Sequence, residues 1–254
     1  MSQHVQPDSE PIITLKNVTF KNNSDTILDD ISFEIRKGDF LGIIGPNGAG
    51  KTTLFKCMLG LKKDFTGSIK ILGNDIRTRA KEIYKHIGYI PQSNSFDPRF
   101  PATVSEIIQL GSFGKKNSES KSKIKELTDL TGISDLLDKR IGDLSGGQQQ
   151  RVMIAKALIH NPDILILDEP ATAIDANVLK LFYNLLTKLN KEKNITIIWS
   201  SHDLDAVNML SNKVACLHRR LYFHGVSEEF FTNENNLKTF IESTMHIHIK
   251  THSH

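Results

Sequence analysis

The stretch FLGIIGPNGAGKTTLF, Phe40 to Phe55, constrains the rest of the chain more than any other. Phe40 to Ile44 is a short apolar run bounded by Gly38 and Gly45, which predicts a buried strand. Gly45, Gly50, Lys51 and Thr52 fit the pattern G-x-x-x-x-G-K-[ST], and Leu54, Cys57, Met58 and Leu61 follow at helical spacing. A strand, a glycine-rich turn and a helix in that order is the context in which such a turn cradles phosphate. Glycines in Gly45-Pro46-Asn47-Gly48-Ala49-Gly50 let the backbone bring several N–H groups toward one anion, at the positive end of the following helix. Lys51 adds a mobile charge for the β and γ phosphates, and Thr52, followed by Thr53, offers a hydroxyl to magnesium.

The chain is 254 residues long, enough for one large or two small domains. Its net charge of +3 is too small a surplus to imply a nucleic-acid partner. Cys57 and Cys216 both sit in apolar patterns and read as reduced packing thiols of a cytosolic protein. The start, MSQHVQPDSEP, has neither a basic nor an apolar leader segment, and no run approaches the roughly 18 apolar residues of a membrane span. Any membrane role is therefore expected to be peripheral.

Residues 1–11 are polar and read as a loose arm. Ile12 to Phe20 and Ile31 to Ile35 predict strands separated by the turn KNNSD, and Gly67 to Gly73 and Ile87 to Pro91 predict two more, the last leading to Gln92. Antiparallel pieces around one phosphate-binding βα unit point to a mixed α/β layer. From Ser93 to about Leu144 the pattern is helical. Thr103 and Glu106 have capping-box spacing before Val104, Ile107 and Ile108, the Lys-rich GKKNSESKSKIKE reads as a solvated loop or helix face, and Ile124, Leu127 and Leu130 resume helical spacing.

LSGGQQQR, Leu144 to Arg151, opens a helix with Val152, Ala155, Leu158 and Ile159 on its apolar face. Ser145, Gly146, Gly147 and Gln148 then lie where backbone N–H groups have no helical partner, a second anion site on the chain. Ile164 to Leu167 predicts a parallel strand buried on both faces, and it ends in Asp168 and Glu169. Acids at a strand's C-terminal edge stand where ligands of open α/β sheets bind; here Asp168 suits magnesium and Glu169 the orientation or deprotonation of water. Asp175 is expected to start a helix burying Leu181, Leu185, Leu186 and Leu189. Ile195 to Trp199 is a further parallel strand, after which His202 repeats the strand-end placement of Glu169 and points to the γ-phosphate, and Asp203 is expected to cap a helix. Val214 to Leu217 and Leu221 to Phe223 form a closing hairpin, with short helices expected from Ser227 and Asn235.

With GPNGAGKTT, Gln92, LSGGQ, ILILDEP and His202 in this order, the chain resembles the ATP-binding subunit of ABC transporters over about residues 12–232. The resemblance implies an α/β fold: a P-loop, RecA-like core joined to an antiparallel β subdomain, with a helical subdomain inserted at about 93–144 and a C-terminal extension over 233–254. It also implies a head-to-tail homodimer in which each ATP is held by one subunit's phosphate loop and the other's Ser145 to Gln148. By the same resemblance Lys51 and Thr52 serve phosphates and magnesium, Gln92 magnesium and the membrane partner, Asp168 magnesium, Glu169 the general base and His202 the γ-phosphate. Asp175, in ATAID, would face the other subunit; Ala173 and Ile174 depart from the usual wording. The family's adenine-stacking aromatic position falls on Asn22, and Phe20 lies two residues earlier.

FPATV and the hairpin CLHRRLYFHG look like the ATPases of zinc and manganese importers, with ferric-siderophore importers next. The implied partners are integral-membrane permease subunits and, indirectly, an extracytoplasmic substrate-binding protein, with the chain on the cytoplasmic face of the membrane. An exporter with a separate permease stays open as an alternative. A soluble ABC protein acting on nucleic acid or ribosomes would carry a long coiled-coil insertion or two cassettes, and this chain has neither. His246, His248, His252 and His254 offer four imidazoles suited to tetrahedral zinc, the alternative being a solvated tail.

Overall fold

Asn23 and Ser24 turn the first two strands back on each other, with Asn23 at φ 54° supplying the left-handed backbone conformation that tight two-residue hairpins use. The computed structural model describes residues 10–92, 96–112, 117–170 and 176–250. The expected arm therefore lies outside the described residues except at its last two positions. The chain divides into two compact units, Met1–Ile83 with Leu204–His254, and Tyr84–Asp203.

In the first unit β1 (Ile13–Asn22) pairs antiparallel with β2 (Asp25–Ile35). β2 starts well before the alternation at Ile31 predicts. Asp29 and Asp30 hide its first half in the sequence, and both have partners: Arg220 bonds Asp29 at 2.6 Å and Asn17 bonds Asp30 at 2.8 Å. β3 (Phe40–Ile44) is buried throughout and is followed by α1 (Lys51–Met58). α1 stops short of Leu61, because Gly60 turns left-handed at φ 62°; Leu61 is 62 % exposed and not part of the expected apolar face. β4 (Phe65–Ile71) pairs with the free edge of β1, β5 (Asn74–Asp75) adds to it, and α2 (Ile76–Ile83) follows, its polar sequence having carried no apolar periodicity.

The second unit is built on β6 (Ile87–Ile90). α3 (Val104–Gln109) is capped by Thr103, whose hydroxyl accepts from the Glu106 N–H while the Glu106 carboxylate accepts from the Thr103 N–H at 2.8 Å. The Lys-rich stretch enters α4 (Asn117–Thr131), and α3 and α4 both pack on α5 (Gly146–Leu158). β7 (Ile164–Leu167) is wholly buried, and its parallel neighbours are β6 and, after α6 (Ala176–Lys193), β8 (Thr196–Ser201). α6 buries Phe182, Leu185, Leu186 and Leu189, spaced i, i+3, i+4, i+7. Leu181 falls off that face and is 59 % exposed, contrary to the expectation.

The first unit resumes with α7 (Leu204–Leu210) and the antiparallel pair β9 (Lys213–His218) and β10 (Arg220–Val226), β9 lying parallel to β3 in a mixed sheet. α8 (Ser227–Thr232) seats Phe230 fully buried among Phe223, Phe231 and Phe240. The last helix is not short: α9 runs Glu234–Lys250.

Candidate functional site

In the first unit the phosphate loop leaves β3 at Gly45, where a Cβ would stand 2.2 Å from the Leu217 carbonyl oxygen, so no other residue fits. Gly50 closes the loop at φ 103° and accepts the first helical bond of α1 from Leu54 at 2.8 Å. Between them Ala49 donates to the Pro46 carbonyl at 3.1 Å and accepts from Arg219 at 2.9 Å, which moors the loop to the β9–β10 turn. Asn47 and Gly48 are exposed at the tip, and Thr52 and Thr53 are half-buried. The Lys51 ammonium folds back on the loop, donating to Gly45 O at 2.8 Å and Pro46 O at 3.2 Å. Cys57, on the buried side of α1, has its thiol pushed up to about 11 by burial, and burial raises Cys216 as well, which suits packing thiols.

The second unit brings Gln92, Asp168 and Glu169 together with Ser200. Ile90 pairs with Leu167 and Leu167 with Trp199, so the residues just beyond these strands emerge side by side. Asp168 is 0 % exposed; its Oδ1 accepts from the Ser200 hydroxyl at 2.7 Å, while its Oδ2 has no hydrogen-bond partner among the described residues. Burial first, and then the Asp168 charge, push the neighbouring Tyr89 hydroxyl up to about 12. Glu169 sits left-handed at φ 45°, an uncommon conformation for a side chain of its size, and its N–H donates to Ser200 Oγ at 2.8 Å. Gln92 Nε2 donates to Glu169 Oε2 at 2.8 Å. An unpartnered carboxylate oxygen in a buried strand end is an open position for a hard cation, so the donor set fits magnesium.

At the start of α5, Ser145 and Gln148 form a reciprocal cap: Gln148 N–H donates to Ser145 Oγ at 3.4 Å and Ser145 N–H to Gln148 Oε1 at 3.0 Å. Gly146 and Gly147 occupy the first two helical positions, where N–H groups lack a helical partner. The next two glutamines, which the sequence did not single out, tie this helix start down. Gln149 donates to the Ile141 and Leu144 carbonyls at 3.1 and 3.2 Å, and Gln150 to Pro170, next to Glu169. His202 is exposed just beyond β8, and the Asp203 N–H bonds Ser201 Oγ at 3.0 Å. Asp175, His252 and His254 lie outside the described residues, and positions 246 and 248 lie on α9.

A phosphate loop between strand and helix, and an acid pair at a parallel strand end, define a nucleoside triphosphate hydrolase of the α/β class. The ABC transporter family profile matches residues 28–172. The chain is 41 % identical over 226 residues to the zinc uptake system ATP-binding protein ZurA of Listeria innocua, covering 86 % of this chain and 87 % of that protein. It is 38 % identical over 235 residues to the manganese transport system ATP-binding protein MntB of Bacillus subtilis, covering 90 % and 92 %. The solved structure of cbiO1 from Clostridium perfringens, part of the ABC transporter complex cbiONQ, matches with a TM-score of 0.78 at 30 % identity, covering 93 % and 96 %. The chain belongs to the ABC transporter family, as an ATP-binding subunit. Its activity is ATP hydrolysis coupled to transport, with ATP and magnesium bound, and it works as a dimer with membrane permease partners. Among the described residues no helix is long and apolar enough to cross a membrane.

Proposed function

We propose that this chain powers a divalent-metal importer whose substrate is zinc, working from the cytoplasmic face of the membrane. The observation that carries the substrate is its likeness to the zinc uptake subunit across almost the whole of both chains. Manganese is the second reading, favoured by the manganese transport relative.

The residue roles follow from their chemistry. The loop N–H groups from Gly45 to Thr53, with Lys51, hold the phosphates, and Thr52, Gln92 and Asp168 hold magnesium. Magnesium, when bound, neutralises charge on the phosphate oxygens. Glu169 takes a proton from the attacking water, and the Gln92 amide fixes the orientation of its carboxylate. His202 contacts the γ-phosphate. Ser145 to Gln148 meet the nucleotide of the other subunit in a head-to-tail dimer, and an extracytoplasmic binding protein delivers the metal to the permease.

His246, His248, His252 and His254 are assigned a zinc-sensing role. Deleting residues 246–254 then abolishes tail-dependent zinc binding and zinc inhibition of the assembled transporter; unchanged inhibition rejects the role.

The test of the transport reading is ATP-dependent accumulation of a panel of metals in vesicles holding the chain and its permease. Zinc accumulation that is lost with Glu169→Gln is expected. Uptake of neither zinc nor manganese overturns the metal assignment.

A further inference from the structure

Ser200 stands at the centre of the strand-end group, and neither spacing nor a motif marks it in the sequence. It is fully buried at the β8 position after Trp199, and the register Leu167↔Trp199 sets it across from Asp168. Its oxygen makes two bonds whose directions are forced. A backbone N–H can only donate, so the Glu169 N–H at 2.8 Å occupies the Ser200 oxygen as acceptor. An ionised carboxylate can only accept, so the hydroxyl proton goes to Asp168 Oδ1 at 2.7 Å. One side chain therefore fixes the rotation of the Asp168 carboxylate and pins the left-handed backbone of Glu169 at φ 45°.

We infer that Ser200 is a positioning residue for hydrolysis: it turns Asp168 so that Oδ2 is presented as the open cation ligand, and it holds the Glu169 backbone so that the base follows directly behind. The inference rests on the assignment of Asp168 to magnesium and Glu169 to proton transfer. Its physical content lies in what Oδ2 lacks. With Oδ1 satisfied by Ser200, the buried Oδ2 has no partner among the described residues. A buried, unpaired carboxylate oxygen costs free energy, and a cation placed there recovers it. Without the hydroxyl, Oδ1 loses this bond as well, the carboxylate loses the contact that sets its rotation, and the left-handed Glu169 backbone loses its bond to Ser200. Supporting partners that orient a metal ligand typically alter metal affinity or activity about 10- to 100-fold.

The test uses the full chain with ATP and Mn2+ as a paramagnetic stand-in for magnesium, reading bound Mn2+ by electron paramagnetic resonance and turnover by phosphate release. Ser200→Ala is expected to raise the half-saturating Mn2+ about 10- to 100-fold, to lower kcat, and to leave KM for ATP at saturating metal nearly unchanged. Ser200→Cys keeps the size of the side chain but is a weak donor, so it should follow Ser200→Ala and serves in its place if that variant does not fold. Ser200→Thr keeps the hydroxyl and should restore most of the Mn2+ affinity. Normal Mn2+ binding by Ser200→Ala and Ser200→Cys, with binding lost in Asp168→Asn, overturns the role of Ser200 alone. Equal loss in all three Ser200 variants also overturns it, because packing and not the hydroxyl is then responsible. Unchanged Mn2+ binding in Asp168→Asn instead rejects the underlying assignment of Asp168.

Discussion

Gln92 and Glu169, 77 residues apart in sequence, are joined by a 2.8 Å hydrogen bond from Gln92 Nε2 to Glu169 Oε2. The contact follows from strand register. Ile90 pairs with Leu167 across β6 and β7, and each of the two residues stands two positions beyond that pair. The side chain proposed to sense the membrane partner is thereby bonded to the carboxylate proposed to move the proton, with no intervening group.

We predict that Glu169→Gln keeps this bond, since an amide oxygen still accepts from Gln92, and keeps ATP binding while losing the proton acceptor. Turnover should fall by about 10² to 10⁴ and an ATP-bound dimer should accumulate. Phosphate release and gel filtration with ATP measure the two effects. Near-normal hydrolysis would sink the assignment of the base.

The parts of this site that were legible in the sequence are those whose chemistry is written in consecutive residues. β3 and β7 appear at the predicted bounds, because apolar runs of five and four residues, closed by Gly45 and by Asp168, are of strand length and end at turn or charged residues. The Thr103 cap was legible for the same local reason. The Ser200 bridge was not, since a serine opposite Asp168 exists only through the register of β7 and β8. Long-range partners hid other features: Asp29 and Asp30 break the alternation of β2, yet Arg220 and Asn17 accommodate them. Leu61 and Leu181 show the converse, apolar residues with helical spacing that the helix end and the helix rim leave in solvent.

Head-to-tail assembly predicts complementation. Ser145→Ala removes the α5 cap, at a cost of about 1 kcal/mol, and with it the contact proposed to reach the partner's nucleotide. Lys51→Ala removes the positive charge proposed to hold the phosphates in the other half of the composite site. Mixed at ratios where heterodimers are shown to form, the two inactive variants should recover hydrolysis through the one site that carries neither change. Absence of recovery across the titration argues against the arrangement.

Stability should weaken on mild acidification through His224. Its ring lies 5.2 Å from that of Phe33, and its Nε2 has no hydrogen-bond partner among the described residues. Burial, followed by the Lys213 charge, holds its pKa below the ordinary 6.5, while Asp39 and Glu34 pull the other way. The unfolded chain thus binds this proton more readily than the fold does, so the contribution is full above about pH 6.5 and is lost as pH falls below it. Urea midpoints at about pH 7.5 and pH 5.5 should fall further apart in the native chain than in His224→Gln. Equal differences in the two proteins would show that His224 has no part in the acid response.

The way adenine is held separates Phe20 from Asn22. Phe20 sits on β1 between Leu28 of β2 and Phe65 of β4, is 5 % exposed, and has the Lys62 ammonium 4.7 Å above its ring. A ring so enclosed has no open face for a base, whereas Asn22, exposed at the hairpin end, stands where the family resemblance puts the stacking ring but carries none. Phe20→Ala should therefore act on the fold, lowering stability by about 3 to 5 kcal/mol, and leave ATP affinity unchanged in the protein that remains folded. Asn22→Tyr should do the opposite, tightening ATP by about 1 to 3 kcal/mol with little change in stability. Thermal unfolding and fluorescent-nucleotide titration on the same samples distinguish them. A loss of ATP affinity in Phe20→Ala at unchanged unfolding temperature would make Phe20 the stacking residue after all.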